Sequence, residues 1–335
     1  MIQESLTVFL LAIAFDILLG EPPAGLHPVV WIGKLIAFLR ARAGPSRVQG
    51  FALALTVISV SVLAGHFLVY AAGPVPFLPL LVGAYLLKST FAIRCLLEVS
   101  CDIGRMIDQD IDEAKKMLPA LVGRDTAPLT RAQAASAVIE SLSENYVDSI
   151  LSPFFYYVAF APVGLGLEAA LAFKAISTMD SMLGYKTRGL LELGYAGARL
   201  DDLANFIPAR MSIILIALAR PARASAALRA AFQYHNATPS PNSGWPMAAC
   251  AGALGIRLEK PGYYVLVKDG KEPDTLDVPR PLRLMQAAIA LTLAAALMIL
   301  FYWALISRSG GLYLIGDRIG DRIGSGYVVL GQHFN

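Results

Sequence analysis

Charge is scarce in this chain. Only 16% of its 335 residues are Asp, Glu, Lys or Arg, whereas a typical soluble domain has about 25%. Hydrophobic residues make up 56% of the sequence, and the mean hydropathy is +0.58. This balance argues against a large soluble enzyme and predicts an integral membrane protein. The net charge of +3 is small and scattered, so no nucleic-acid partner is expected.

Cysteine and histidine are scarce as well, with three and four residues respectively. The cysteines form no C-x-x-C pair, and the few histidines fit no zinc-site spacing. The sequence also contains no G-x-x-x-x-G-K-[ST] phosphate loop. Any bound nucleotide therefore needs a binding site of another kind.

Long apolar runs, in contrast, are abundant. A membrane-spanning helix needs about 20 mostly apolar residues, and such runs occur near residues 5–20, 51–72, 77–97 and 284–306. We therefore predict an all-α, polytopic integral membrane protein with about four full spans. Residues 1–306 are predicted to form a single membrane-embedded unit, followed by a C-terminal tail of unknown role at 307–335.

The basic residues predict the orientation of these spans. Lys and Arg lie between the first two spans and again in residues 98–283, whereas the link between the second and third spans has none. Basic loops stay in the cytoplasm, so both regions are predicted to face it in a multi-pass protein of the cell membrane. Residues 150–173 are apolar but rich in Pro and Gly, which favours a re-entrant or membrane-lying segment. A full crossing is the alternative.

The first polar block is "IESLSENYVDS". Its residues Glu140, Glu144 and Asp148 are four positions apart, so on a helix they form one stripe of carboxylates. Like charges at this spacing oppose the helix by about 0.2–0.5 kcal/mol per pair, and a cation nearby reverses the effect. Mg²⁺ prefers carboxylate oxygens, so the stripe is a candidate magnesium site. A solvated acidic face is the alternative.

The second block is "FKAISTMDSMLGYKTR". Lys174, Asp180, Ser181, Tyr185 and Lys186 follow one another around a glycine. Cations near a glycine turn suit phosphate oxygens. Positive anchors at a lipid interface explain the two lysines almost as well, but they do not explain the aspartate.

The third block is "YAGARLDDLANFIPARM". On a helix, Arg199 and Asp202 lie three positions apart and Asp201 and Asn205 four apart, and Arg210 follows a proline. Taken alone, these residues are explained by ordinary surface ion pairs. Beside the other blocks, they are a candidate wall of one polar site.

Two further segments carry polar residues beside turns. "YHNATPSPNSGWPMA" contains His235, Ser240, Asn242 and Trp245, and "FDILLGEPPAGLHPVVWIGK" contains His27 where the first span reaches the predicted cytoplasmic side. Such loops are surface features by default, and they also carry function. A lone histidine is more often a structural donor than a catalyst.

Together, in this order, the blocks resemble the cobalamin-biosynthesis family CobD/CbiB, the adenosylcobinamide-phosphate synthases. The resemblance covers residues 10–300 and includes "ESLSENYVDSILSPFFYY", "KAISTMDSMLGYK", "GARLDDLANFIPAR" and "SPNSGWPMAACAGALGIRL". It implies that residues 1–306 form a catalytic unit. The implied reaction joins adenosylcobyric acid to (R)-1-aminopropan-2-ol phosphate, or to ethanolamine phosphate, through an amide bond at the expense of ATP.

The resemblance also implies roles for individual residues. The metal ligands for Mg²⁺ would be Glu140, Glu144, Asp148, Asp201 and Asp202. The catalytic residues would be Asp180, His235, Lys186 and Arg199, with Asp180 and His235 as alternatives for the base. The substrate and phosphate ligands would be His27, Asn145, Lys174, Ser181, Tyr185, Asn205, Arg210, Ser240, Asn242 and Trp245.

Two other functions remain open at this stage. A membrane protein that binds or transports corrinoids without catalysis would carry charges along a solute path, yet the spans at 51–72 and 284–306 have none. A non-catalytic signalling relative would lack the acidic blocks that this chain keeps. The expected partners are the two substrates, the lipid membrane and other late cobalamin-assembly membrane enzymes.

Overall fold

The computed structural model describes residues 2–184, 190–273 and 278–308. These residues form fourteen α-helices and one two-stranded antiparallel sheet, which confirms the predicted all-α fold class. The helices are α1 (Ile2–Leu19), α2 (Pro28–Arg40), α3 (Arg47–Ala71), α4 (Leu78–Lys88), α5 (Ile93–Gln109), α6 (Ile111–Met117), α7 (Arg131–Tyr146), α8 (Ser152–Phe160), α9 (Gly166–Leu183), α10 (Tyr195–Ala204), α11 (Phe206–Ala219), α12 (Ala224–Tyr234), α13 (Gly244–Leu254) and α14 (Pro279–Arg308). The strands are β1 (Leu258–Lys260) and β2 (Tyr264–Leu266).

Four segments of the described chain are long and apolar enough to cross a membrane. They are Ile2–Leu19, Arg47–Ala71, Leu78–Gln109 and Pro279–Ser307. These positions confirm the polytopic architecture predicted from hydropathy, although the third segment continues through α5 instead of ending near residue 97. Together α10 and α11, with a 41° bend between them, form a further candidate span.

The third segment is broken between α4 and α5. The hydroxyl groups of Ser89 and Thr90 donate to carbonyl oxygens of the preceding turn, and such local bonds compete with continuation of a helix. Asp16 of α1 then accepts a hydrogen bond from the backbone N–H of Arg94 at 2.9 Å, which caps the start of α5. The break leaves Lys88, the last residue of α4, inside the protein.

The centre of the bundle is α7, which is buried on nearly all sides. Residues 134–143 are all buried, and most are Ala or Ser, whose small side chains let neighbouring helices approach closely. Thr130 and Gln133 form a capping box at its first turn. At its other end α7 passes directly into a π turn, Val147–Leu151.

Helices α8 and α9 form a hairpin alongside the candidate spans. The Tyr157 hydroxyl of α8 donates to the Ser5 carbonyl oxygen in the first turn of α1, at 2.7 Å. At the start of α9, the Glu168 carboxylate lies 2.8 Å from the His66 ring near the end of α3. The last turns of α9 pack against the first half of α3, so the two helices are antiparallel. The chain thus reaches the end of the bundle that holds the first turn of α1 and the last turns of α3, and then returns to the end that it left.

Candidate active site

A cavity of about 840 Å³ opens where α9 ends and α10 begins. Five carboxylate residues line this space, which we call the acid cavity: Glu144, Asp148, Asp180, Asp201 and Asp202. They come from α7, the π turn, α9 and α10, and the loop before α13 supplies another wall. The structure therefore brings together four of the polar blocks that the sequence analysis singled out.

The end of α7 positions two of these carboxylates. Glu144 lies in its last turn, and Asp148 lies in the π turn that follows. Both side chains line the cavity and are half-buried. Since π turns occur frequently at functional sites, this departure from regular helix geometry is itself consistent with a site here.

Glu140 does not join them, although the sequence predicts that it is one of the magnesium ligands. Its carboxylate lies one turn earlier on α7 and 3.3 Å from the Arg124 guanidinium. The hydroxyl groups of Ser136 and Tyr264 donate to it at 2.7 and 3.1 Å. Because this buried carboxylate is already paired and hydrogen-bonded, we remove Glu140 from the predicted metal ligands.

Asp180 lies in the last turn of α9 and faces the cavity. A Cβ atom at position 184 would collide with Oδ1 of Asp180, so Gly184 leaves the room that this carboxylate occupies. Burial raises the pKa of Asp180, and the charge of Asp202 raises it further. A carboxylate with a raised pKa is a better proton acceptor than an ordinary aspartate.

Asp201 is held in place by a chain of hydrogen bonds. The Asn205 amide nitrogen donates to Asp201 Oδ2 at 3.1 Å, and the Ser152 hydroxyl donates to the Asn205 amide oxygen at 2.6 Å. Ser152 and Asn205 are both buried. The first turn of α8 therefore fixes the orientation of a carboxylate on α10.

Two arginine residues lie at the rim of the cavity, close to Tyr195, the first residue of α10. The Arg47 guanidinium lies 4.5 Å from the centre of the Tyr195 ring, and the Arg199 guanidinium lies 5.5 Å from it. Each arginine also has an acidic partner: Arg47 Nε is 2.7 Å from Glu192, and Arg199 Nη1 is 3.5 Å from Asp202. All three rim residues line the cavity.

The loop before α13 is tied to the helices that carry the carboxylates. The Asn242 amide nitrogen donates to the Asp202 carbonyl oxygen at 2.8 Å, and Arg210 donates to the Asn242 side-chain oxygen at 3.0 Å. The Ser240 hydroxyl accepts the backbone N–H of Asn242 at 3.2 Å. Ser240 and Asn242 thereby become fixed parts of the cavity wall.

His235, Trp245 and Arg210 form a cluster behind this loop and do not line the cavity. The His235 ring stacks on Trp245 with 3.9 Å between ring centres, and Arg210 lies 5.0 Å from the centre of the Trp245 ring. His235 Nδ1 lies 3.2 Å from the Ala231 carbonyl oxygen. Of the two alternatives for the base, only Asp180 faces the cavity.

Three other predicted site residues that the structure describes, Asn145, Ser181 and Lys174, are near the cavity but do not line it. Asn145 donates back to Ser141 of its own helix, and the exposed Ser181 donates to the Ser177 carbonyl oxygen. Lys174 lies deeper along α9, within electrostatic reach of Asp148. Tyr185 and Lys186 lie outside the described residues.

His27 belongs to a second charged cluster, at the junction of α1, α2 and α4. Its Nδ1 accepts the backbone N–H of Val29 and caps α2, and its Nε2 lies 3.0 Å from Glu21. The fully buried Lys88 ammonium lies 2.7 Å from Glu21 and 3.1 Å from Asp16. We call Lys88, Asp16 and Glu21 the buried triad after its two buried members, Lys88 and Asp16, while the Glu21 side chain is 30% exposed.

The acid cavity is electrostatically strained without a ligand. Burial raises the pKa of Glu144 to about 7, and the charge of Glu140 adds to this shift. Burial also raises the pKa of Asp148, with further contributions from the charges of Asp201 and Glu144. These shifts mean that the ionised carboxylates repel one another and that a bound cation would stabilise them.

The carboxylates of the acid cavity suit Mg²⁺ only if a substrate phosphate binds the ion with them. In the described part of the chain, no three His, Cys, Asp or Glu side chains converge as a metal-binding group. Mg²⁺ commonly uses one or two carboxylates together with water and substrate phosphate. Asp148 and Asp201, with Glu144 and Asp202 beside them, provide donors of that type.

Four residues of these two regions were missed by the sequence analysis as site components. Arg47 and Tyr195 form most of the rim, Ser152 orients Asp201 through Asn205, and Lys88 holds the buried triad. Lys88 carried the clearest signal, because a lysine in an otherwise apolar span is expensive unless it has a partner. The other three have common residue types at unremarkable spacing.

The fold and the cavity define a polytopic α-helical membrane protein with an acidic site at one end of its helix bundle. The family model described as CobD/Cbib protein matches residues 9–307. The chain belongs to the CobD/CbiB family of cobalamin biosynthesis proteins, which confirms the resemblance inferred from its polar blocks.

Similar curated proteins agree with this assignment. A probable cobalamin biosynthesis protein CobD from Methanothrix thermoacetophila is 53% identical, with 88% of this chain and 97% of the relative covered. The protein of the same name from Methanothermobacter thermautotrophicus is 38% identical, with 88% and 98% covered. The one from Thermococcus kodakarensis is 40% identical, with 84% and 91% covered. No solved structure matches the chain.

Proposed function

We propose that this protein is an ATP-dependent amide ligase, an adenosylcobinamide-phosphate synthase. Its substrates would be adenosylcobyric acid and (R)-1-aminopropan-2-ol phosphate or ethanolamine phosphate. The observation that carries the proposal is the acid cavity, in which five carboxylates and two arginines meet. Such a space suits a cationic amine, phosphate groups and a metal ion together.

The chemistry explains why these groups are needed. A free carboxylate and an amine form an amide too slowly without activation, so ATP would transfer its terminal phosphate to the corrin carboxylate and release ADP. The amine would then attack the acyl phosphate, and inorganic phosphate would leave. Before that attack the ammonium group must lose a proton, for which Asp180, with its raised pKa and its place in the cavity wall, is the base we favour.

Mg²⁺ is the metal that we propose for this site. Glu144, Asp148, Asp201 and Asp202 would hold it together with substrate phosphate, and when bound it would neutralise phosphate charge and orient the reactants. Arg199 would hold a substrate phosphate at the rim of the cavity. Lys174, earlier on α9 than Asp180, would contribute a further positive charge close to Asp148.

We place the protein in the cytoplasmic membrane with the acid cavity facing the cytoplasm. The basic residues between α1 and α3, together with Arg47 in the first turn of α3 at the cavity rim, support this orientation through the positive-inside preference. A membrane location would also suit contact with other late cobalamin-assembly enzymes in the same bilayer.

The test is ATP turnover by the full chain purified in detergent with Mg²⁺. We expect ADP and inorganic phosphate to form only when adenosylcobyric acid and the amine phosphate are both present, with amide product in equal amount. Binding of the corrinoid without ATP turnover would favour the rival function of a corrinoid-binding or transporting protein. ATP hydrolysis that is independent of the amine would contradict amide ligation.

A further inference from the structure

The rim of the acid cavity is formed by two arginines and one tyrosine. Arg47 comes from the first turn of α3 and Arg199 from α10, and both guanidinium groups lie within 5.5 Å of the Tyr195 ring centre. We call these three residues the arginine rim. A tyrosine ring attracts cations through its face, so it holds two like charges near each other in spite of their repulsion.

The charges in the cavity are segregated. Among the described residues its lining carries five carboxylates, whereas its two arginines are at the rim, where Arg47 pairs with Glu192 and Arg199 with Asp202. The arginine side chains keep 57% and 65% of their surface exposed, so their remaining N–H groups can reach a ligand from solvent. A ligand that matches this arrangement carries a negative group at one end and a positive group at the other.

The geometry points to the arginine rim as the binding subsite for the phosphate of the amine substrate. The phosphate monoester contacts Arg47 and Arg199 beside Tyr195, while the ammonium end of the same molecule faces the carboxylates near Asp180. Arginine suits this task because its planar fork of donors matches phosphate oxygens. The inference rests on the proposed function for the identity of the substrate, but binding at the rim is measurable without turnover.

ATP matches the cavity less well than an amine phosphate does. ATP has several negative groups and no cation, so the five carboxylates repel it unless a metal ion or other cations lie between them. An amine phosphate carries both a negative group for the arginine rim and a positive group for the carboxylates. The rim therefore distinguishes phosphorylated from unphosphorylated amines, which is a specificity role for Arg47.

Binding measured by calorimetry on the full-length protein in detergent tests this role. The probes are ethanolamine phosphate and ethanolamine, and the variants are Arg47→Ala, Arg47→Lys and, as a matched control, Arg105→Ala. Arg105 is 71% exposed and pairs with Asp102 on α5, away from the cavity. We expect Arg47→Ala to weaken ethanolamine phosphate at least 10-fold, Arg47→Lys to weaken it less, and neither variant to change ethanolamine binding.

Steady-state kinetics then separates the two phosphate-bearing substrates. With Arg47→Ala we expect KM for the amine phosphate to rise at least 10-fold while KM for ATP stays within twofold and the control variant behaves as wild type. A rise in KM for ATP alone would assign the rim to the nucleotide and overturn the inference. Unchanged binding of ethanolamine phosphate to Arg47→Ala would overturn it as well.

Failure of the proposed function looks different. If the wild-type protein binds ethanolamine phosphate in an Arg47-dependent manner but makes no amide, the ligase proposal fails and the subsite stands. If it makes the amide and Arg47→Ala leaves every KM unchanged, the ligase proposal stands and the subsite fails.

Discussion

The acid cavity and the buried triad are both clusters of charge inside a largely apolar protein, and they are built in opposite ways. In the triad, two carboxylates share one fully buried ammonium group, and His27 and the backbone N–H of Arg94 also contact these carboxylates. In the cavity, five carboxylates face one another with two arginines at the rim. The charges of the triad are paired within the protein, whereas among the described residues the carboxylates of the cavity outnumber its arginines, so a bound cation would stabilise them.

This difference separates charges that stabilise the fold from charges that serve function. A buried ion pair is strongly destabilised when one partner is removed, because the other charge is left unpaired. A cluster of like charges is relieved when one member is neutralised. The two regions should therefore respond to neutral substitutions with opposite signs in stability.

The largest effect is expected at Lys88. Replacing it with methionine leaves Asp16 buried without its cation, so we expect the free energy of unfolding to fall by about 3–5 kcal/mol. Thermal unfolding in detergent measures this change. Lys116→Met is the control, because Lys116 pairs with Glu113 on an exposed helix at 73% exposure and should change little. Equal melting temperatures for the two variants would show that the triad is not a structural cluster.

The next effect concerns catalysis at Asp201. We expect Asp201→Asn to lower amide formation by about 100–1,000-fold, the range seen when one charge-stabilising group is lost. The melting temperature of the ligand-free protein should be unchanged or higher, because a like-charge repulsion has been removed. Asp112→Asn on the exposed face of α6 is the control. Wild-type turnover in Asp201→Asn would remove this residue from the metal and phosphate site.

A smaller effect is expected at Ser152, which touches the cavity only through Asn205. Loss of its hydroxyl in Ser152→Ala leaves the Asn205 amide unanchored, so the apparent affinity for Mg²⁺ should fall by about 10-fold. Magnesium titration of the initial rate measures it. Ser143→Ala is a matched control, because Ser143 is buried but bonds only to carbonyl oxygens of its own helix. An equal shift in both variants would contradict an orienting role.

The smallest effect is the pH dependence of stability that arises from Glu144. Its pKa is about 7 in the folded protein against 4.5 ordinarily, so the folded state holds a proton that the unfolded state loses. Stability is therefore complete below pH 4.5 and declines as the pH rises through 7, by about 1 kcal/mol after allowing for solvent screening. Melting curves from pH 5 to 8 measure the decline, and Glu144→Gln should flatten it. A profile that rises with pH would contradict the assignment.

The membrane fold was largely predictable from the sequence because it depends on the length of the apolar runs. The four spans follow from runs of about 20 apolar residues, and each has a matching segment in the structure, the third of them made of α4 and α5. The break between α4 and α5 was not predictable in the same way. It depends on a contact between Asp16 and Arg94, residues far apart in the sequence, and hydropathy carries no information about such a contact.

The candidate site was predictable as a set of polar blocks, but the orientation of each side chain was not. Regular helix spacing places Glu140 on the same stripe as Glu144 and Asp148, yet Arg124 and Tyr264 hold it away from the cavity. His235 likewise carries a catalytic residue type but packs on Trp245. Partners that come from distant segments decide these cases, and a single sequence does not reveal which segments meet.

The hairpin of α8 and α9 has a consequence for biogenesis. Its second helix carries Glu168, Lys174 and Asp180, and a charged residue at the centre of a lone helix costs about 2.5–3.5 kcal/mol on insertion. We expect α9 to enter the membrane only by packing against α3, which is synthesised earlier and contributes His66 as the partner of Glu168. Synthesis would then fix an order in which α1, α3 and α4 enter the membrane before the carboxylates of the cavity come together. Protease accessibility of α9 in a chain lacking α3 would reveal that order.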